Sequence, residues 1–248
     1  MFRPMVWRAL ALAVFAAGAL PVRAAEVYQV STISSLLAGG YDGDTTVGHL
    51  LRHGGFGLGT FNGVDGEMMV LDGRVYRGTV DGRAHAVAAT ALTPFPPAGI
   101  GPGRRRTIAR ATGDGARCAA LQRVARPCGT GRWPFSAIAV RSEPKQQPPY
   151  RPLAEVIKAQ QVVHTFDDVD GTLIGFRVPA ATTSVNVPGW HFHFLSADRS
   201  RGGHVLGLTT GEGLTLLEEF SDLRIRLPAR APASSAGAEA IKAVERPQ

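Results

Sequence analysis

The chain has 248 residues, 44% of them apolar, and a formal net charge of +7, which excludes a disordered chain and leaves room for one large domain or two small ones. The surplus charge raises nucleic acid as a partner, but residues 96–132 hold eight arginines against one acid, while the rest of the chain after residue 24 has 16 basic and 19 acidic side chains. A basic run confined to one segment, without interleaved aromatics, lacks the stacking platforms of a single-strand binder, and nucleic acid is set aside as a partner.

At the N-terminus, Arg3 and Arg8 lead into an apolar or small run from Ala9 to Leu20, and Val22-Arg23-Ala24 has the small-x-small form of a cleavage site. These features predict a secretory signal peptide over 1–24, cut after Ala24. About twelve apolar residues fall short of the roughly twenty that span a bilayer. The expected mature protein is therefore periplasmic or secreted, with no membrane partner.

Ser31 to Leu37 has the spacing of a short helix ended by Gly39-Gly40, and Thr45 to Leu51 starts a second. From Gly55 to Val87 the chain reads as a β-meander punctuated by Asp65-Gly66, Asp72-Gly73 and Asp81-Gly82, dipeptides suited to tight hairpin turns. Pro96 to Ser136 breaks this pattern. It is rich in Arg, Gly and Pro, lacks period-2 alternation, and is expected to be strandless, with Ala116 to Val124 as its one short helix. Cys118 and Cys128 both lie in it, and in an oxidising compartment they form a candidate disulfide. Arg, Gly, Ala and Pro are also what GC-rich codons yield out of frame, so a compensated frameshift is one origin for such a run.

Beyond the Pro-rich stretch around 144–152, Ala154 to Gln161 reads as a short helix and Thr165 to Pro179 as a hairpin or a turn into a strand. Val187 to Thr210 reads as a clear hairpin, Leu214 to Leu227 alternates, and Ala238 to Glu245 closes with a helical turn. The fold class is β-rich α+β, in two lobes over 25–150 and 151–248.

Three of the seven histidines fall in Trp190–His204. In a strand His191 and His193 share one face, with Cα atoms about 7 Å apart, while Trp190, Phe192 and Phe194 take the other, natural core face. A polar turn ending in Gly202-Gly203 brings His204 back alongside them. Three neutral imidazoles from adjacent strands leave open coordination positions, as a catalytic zinc site requires, although iron and manganese accept the same ligands. Asp198 and Glu212 read as solvated turn residues. The spacing alone also suits a cupin dioxygenase or a carbonic-anhydrase-like lyase.

"LGTFNGVDGEM" (Leu58 to Met68), "RSEPKQQPPYRPL" (Arg141 to Leu153), "GTLIGFRVP" (Gly171 to Pro179), "NVPGWHFHFLSADRSRGGHVL" (Asn186 to Leu206) and "AIKAVE" (Ala240 to Glu245), with the opening helices, resemble the α-acetolactate decarboxylases. The resemblance implies a homodimeric zinc lyase that converts 2-acetolactate to acetoin and carbon dioxide. It also implies an N-terminal mixed β-sheet lobe and a C-terminal antiparallel β-barrel lobe carrying the metal. By motif, His191, His193 and His204 match the Zn2+ ligands, Glu67, Arg141 and Glu245 the catalytic residues, and Thr60 and Arg141 the substrate pocket. The chemistry is coherent: a divalent ion stabilises the enediolate left by carbon dioxide, an arginine fork holds a carboxylate, and Glu67 or Glu245 returns a proton. The resemblance fails over Pro96 to Ser136, which keeps an inactive exported homologue as the alternative.

Overall fold

The computed structural model of the chain describes residues 26–100, 104–111, 127–211, 213–220, 222–229 and 237–245. The signal-peptide expectation, Cys118 with its proposed pairing, and the possible helix over Ala116 to Val124 lie outside these residues. Strand β1 (Glu26–Val30) leads into helix α1 (Ile33–Leu37), where the Thr32 hydroxyl accepts from the Ser35 amide. After β2 (Thr45–Thr46), Thr46 caps helix α2 (Val47–Leu51) through the His49 amide. In both cases a side-chain oxygen satisfies an amide that has no preceding turn to bond to.

The meander is present as expected: β3 (Phe56–Thr60), β4 (Glu67–Leu71), β5 (Arg74–Gly78) and β6 (Ala84–Ala86) pair successively antiparallel. Asp72 and Gly73, at φ 53° and 71°, take the left-handed pair of conformations that a tight hairpin demands. Strand β7 (Leu92–Thr93) then pairs with β2.

The run from Pro96 to Ser136 is not strandless. It supplies β8 (Pro97–Ile100), β9 (Arg104–Ala111) and the start of β10 (Pro127–Ser142). Strand ladders are built from backbone groups that nearly every residue offers, and β9 lies at a sheet edge, bonded to one neighbour, a position where charged sequences are common. Period-2 alternation is therefore a poor guide there.

Helix α3 (Leu153–Gln160) precedes β11 (Val162–Val178), a single strand of 17 residues where a hairpin or turn was one expectation. Asp170-Gly171 makes no turn because β11 is held by β12 (Gly189–Ser196) on one side and β10 on the other. Gly171 is there for packing: a Cβ would collide with the Phe194 ring. Strand β13 (Gly202–Thr210) completes the histidine hairpin. Its Gly202 and Gly203 lie in the strand and not in the turn, because a Cβ on either would press on backbone, at 2.7 Å from the Phe194 oxygen and 2.8 Å from the Arg141 oxygen. Strands β14 (Gly213–Glu219) and β15 (Asp222–Arg226) and helix α4 (Ala238–Glu245) finish the chain.

Two large sheets result. The first runs β15-β1-β8-β3-β4-β5-β6 and is mixed, since β1 and β15 are parallel and the remaining pairs antiparallel. The second runs β11-β12-β13-β10-β14-β9, with β10 also paired to β11. Sheet membership interleaves along the chain, so residue 150 does not separate one sheet from the other. The sheets meet where Leu58, Met69 and Leu71 of the first pack with Ile174, Phe176 and Leu195 of the second. The three helices α1, α3 and α4 share a further core of Ile33, Leu37, Val156, Ile241 and Val244. Among the described residues no helix is long and apolar enough to cross a membrane.

A single glycine sets the geometry at the start of β4. Gly66 sits at φ 78° immediately before Glu67, and a Cβ there would collide with the Gly78 carbonyl oxygen. Replacing it combines a left-handed conformation with a backbone clash, so Gly66→Ala should destabilise the protein by about 2–3 kcal/mol. Thermal unfolding should register this as a fall of roughly 5–10 °C in Tm.

Candidate metal centre and active site

The register of the second sheet builds the site. His193 stands opposite His204 across β12 and β13, and His204 stands opposite Arg141 across β13 and β10. Directly opposed residues share a face. Two imidazoles and a guanidinium thus form a row, with His191 two residues from His193 on the same face. From the first sheet, Glu67 on β4 stands opposite Thr60 on β3. Val244 and Ile241 anchor α4 in the helical core, and this brings Glu245, near the chain's end, to the same place.

All seven residues anticipated from the sequence, Thr60, Glu67, Arg141, His191, His193, His204 and Glu245, line one cavity. Its free volume is about 50 Å³, several times the roughly 10–15 Å³ that one water needs. The histidine face is the more closed of the two: His191, His193 and His204 are 8%, 1% and 3% exposed. The aromatic face was expected to be the core face, yet Trp190 and Phe192 are only half-buried while Phe194 is fully buried. The reason is that the first sheet covers the imidazoles.

The three histidines each offer a nitrogen within 4.8 Å of the other two. His191 Nε2 lies 3.2 Å from His204 Nδ1, and His193 Nε2 lies 3.3 Å from Glu67 Oε2. The tautomer of His193 is determined by its other nitrogen. Nδ1 is 2.8 Å from the Met68 carbonyl oxygen, which only accepts, so Nδ1 carries the hydrogen and a neutral ring points a bare Nε2 lone pair into the cluster. That lone pair faces a carboxylate oxygen. His191 Nδ1 is buried and finds no hydrogen-bond partner among the described residues.

Burial holds all three rings neutral. Desolvation, partly offset by the Glu67 carboxylate, brings His191 and His193 down to about 4, and desolvation with the nearby Arg141 charge holds His204 well below the usual histidine range. The residues present fit a divalent ion: three unprotonated imidazoles offer nitrogens within 4.8 Å of one another, and one pair, at 3.2 Å, already has the roughly 3.3 Å separation of neighbouring ligands on a tetrahedral ion at about 2.0–2.1 Å. Two electron-rich groups, His193 Nε2 and Glu67 Oε2, would otherwise oppose each other.

The carboxylates are differentiated. Desolvation raises Glu245 to about 7 against the pull of Arg141, and its Oε2 lies 3.7 Å from His204 Nε2. Glu67 Oε1 is 3.4 Å from Arg141 NH1. Arg141 also donates through NH2 to the Val244 carbonyl at 3.1 Å, while its buried Nε has no partner among the described residues. Thr60 commits its hydroxyl hydrogen to the Gly66 carbonyl at 2.8 Å, tying β3 to the turn before Glu67. Asp198, set aside as a ligand, is bound within its own turn to Ser196 and Ser200. Glu212 lies outside the described residues.

One site residue escaped the sequence reading. Glu143, 4% exposed, lines the same cavity and pairs with Arg141 NH1. The available signal was its spacing: two residues from Arg141 in extended chain puts both on one face. The prolines that follow masked the segment's β character.

Comparison with known proteins agrees with this geometry. A family model described as alpha-acetolactate decarboxylase matches residues 27–100 and 131–235, passing over the arginine-rich run. The α-acetolactate decarboxylase of Methylococcus capsulatus is 40% identical over 209 residues, covering 82% of this chain and 80% of that one. That of Klebsiella aerogenes is 37% identical over 218 residues, covering 82% and 80%. The crystal structure of α-acetolactate decarboxylase from Bacillus subtilis strain 168 superposes with a TM-score of 0.81 at 30% identity, covering 90% of this chain and all of that one. Five separated motifs, a β-rich α+β fold and a buried histidine cluster converge on one conclusion: the chain belongs to the α-acetolactate decarboxylase family.

Proposed function

We propose that this chain is a carboxy-lyase that decarboxylates 2-acetolactate to acetoin, with a zinc ion held by His191, His193 and His204. The observation that carries the reading is the bare Nε2 of His193, forced by its bond to Met68 and aimed with two further neutral imidazoles and Glu67 into one small cavity. A divalent ion held there supplies a Lewis-acid sink for the electron pair released when a carboxylate leaves as carbon dioxide.

The chain's own residues account for the remaining needs. A carboxylate entering the cavity meets the guanidinium of Arg141, whose unpartnered Nε–H is a donor awaiting an acceptor. Val244 holds that guanidinium through NH2, so the charge is fixed before substrate arrives and orientation costs little at the moment of reaction. Glu245, raised to about 7, retains a proton to deliver to one face of the decarboxylated product, and Glu67 faces the histidines to receive or relay it. Walls of Ile33, Leu36, Phe95 and Leu153 exclude water. The antiparallel second sheet, with β10 pairing on both sides, is read as the barrel of the metal-bearing lobe, and the active species as a homodimer.

The leading alternative is an exported homologue without activity, since residues 101–130 fall outside the family match. Apart from the α4 residues Val244 and Glu245, however, the cavity lining lies within the matched stretches. Purified protein incubated with racemic 2-acetolactate should form acetoin, lose that activity to a chelator and regain it with zinc. His193→Ala should reduce activity by at least about 100-fold, and Arg141→Lys, which removes the planar fork, by about 10–100-fold in kcat/KM. Intact metal binding with no acetoin would reject the assignment, and oxygen consumption in an iron-loaded sample would favour a dioxygenase.

We also propose export, on the strength of residues 1–24. Fractionation of the producing cell should place the protein outside the cytoplasm, shortened by about 24 residues.

Acid should destabilise the metal-free protein in a defined window. His191 and His193 titrate near 4 in the folded chain and near 6.5 when unfolded. Between those values the unfolded state binds protons that the folded histidines refuse, so their contribution is complete above about pH 6.5 and is lost as pH drops toward 4; Glu245, raised to about 7, has the opposite slope over much of this range, leaving a net loss on the order of a few kcal/mol. Chemical denaturation at stepped pH should show this loss, and a double His→Gln variant should flatten it.

A further inference from the structure

We infer that Glu143 is a positioning residue for Arg141, governing how strongly and in what orientation the guanidinium meets an anionic substrate. The inference rests on the reading of this cavity as the substrate site. Arg141 and Glu143 lie two residues apart on the same face, at the end of β10 and just beyond it, and are 5% and 4% exposed. The Glu143 carboxylate takes NH1 in a close ion pair. Glu67 reaches the same nitrogen only at 3.4 Å, longer than the roughly 2.7–2.9 Å of a charge-assisted hydrogen bond.

The sharing has two consequences. First, Glu143 takes one hydrogen of NH1 and Val244 one of NH2, while Nε is the one nitrogen of the fork with no partner among the described residues, so a substrate carboxylate is met from the Nε side of the fork. A second buried carboxylate beside the guanidinium also offsets its charge and weakens its attraction for any anion. Second, Glu67 is spared a tight pairing, and its other oxygen faces His193 Nε2 at 3.3 Å. Without Glu143, NH1 would turn to Glu67 and hold it. Glu143 thus trades affinity for the freedom of Glu67 and the fixed angle of Arg141.

The test compares wild type with Glu143→Gln and Glu143→Asp, using 2-hydroxy-2-methylpropanoate, an unreactive α-hydroxy acid, as a calorimetric probe beside acetolactate turnover. The Gln variant should bind the probe about tenfold tighter, lower KM by a similar factor and lose about tenfold in kcat, a split that simple loss of folded protein does not produce. The Asp variant, with its charge withdrawn by one methylene, should bind the probe with intermediate affinity, and it carries the comparison if the Gln variant fails to fold. Equal or weaker probe binding by the folded variants, with kcat unchanged, would overturn the inference. A wild type that binds the probe and makes no acetoin would reject the decarboxylase reading while leaving the role of Glu143 to be decided by the probe affinities.

Discussion

Desolvation of three imidazoles between two sheets is the constraint on which the site depends. A histidine in water is protonated part of the time near neutral pH. His191, His193 and His204, closed in by β3, β4 and the helical cap, cannot accept that proton without a large cost. They are kept in the one state that can ligate a metal. The Met68 carbonyl then selects which nitrogen of His193 is bare, so a backbone atom of the first sheet orients an imidazole belonging to the second.

The same burial sorts the charged groups around them. Arg141 stays charged, since its guanidinium does not lose its proton in proteins, and it becomes the hub to which Glu67, Glu143 and the α4 carbonyl of Val244 are drawn. Glu245, partly buried beside His204, is raised by desolvation to about 7 and keeps a proton near neutrality. Carboxyl groups of identical intrinsic chemistry thus acquire different work from their positions relative to one cation.

The fold places the cost of this polar cluster where apolar contacts can offset it. The two sheets pack through Leu58, Met69, Ile174, Phe176 and Leu195, and the helices close the far side through Ile33, Val156, Ile241 and Val244. The arginine-rich run contributes backbone ladders to both sheets. The family match passes over most of it and resumes at residue 131.

Much of this was legible in the amino-acid order, and the reasons are local. Aspartate–glycine pairs marked the meander because few residues accept the left-handed turn at Asp72 and Gly73, and His-x-His marked a shared face because strand alternation is geometric. What could not be read there was set by neighbours distant in the chain. Gly171, Gly202 and Gly203 resemble turn residues but serve close packing, since only the folded sheets bring Phe194 and Arg141 against them. Charge-rich β9 became a strand through the bonding of its backbone to β14. The last helical turn carries Glu245 into the cavity only because Ile241 and Val244 find a core, and Glu143 acquired a partner because Arg141 was already buried beside it. Residue order determines which side chains can share a face; which face is taken out of water, and so which groups change their protonation, depends on a second sheet that local order does not specify.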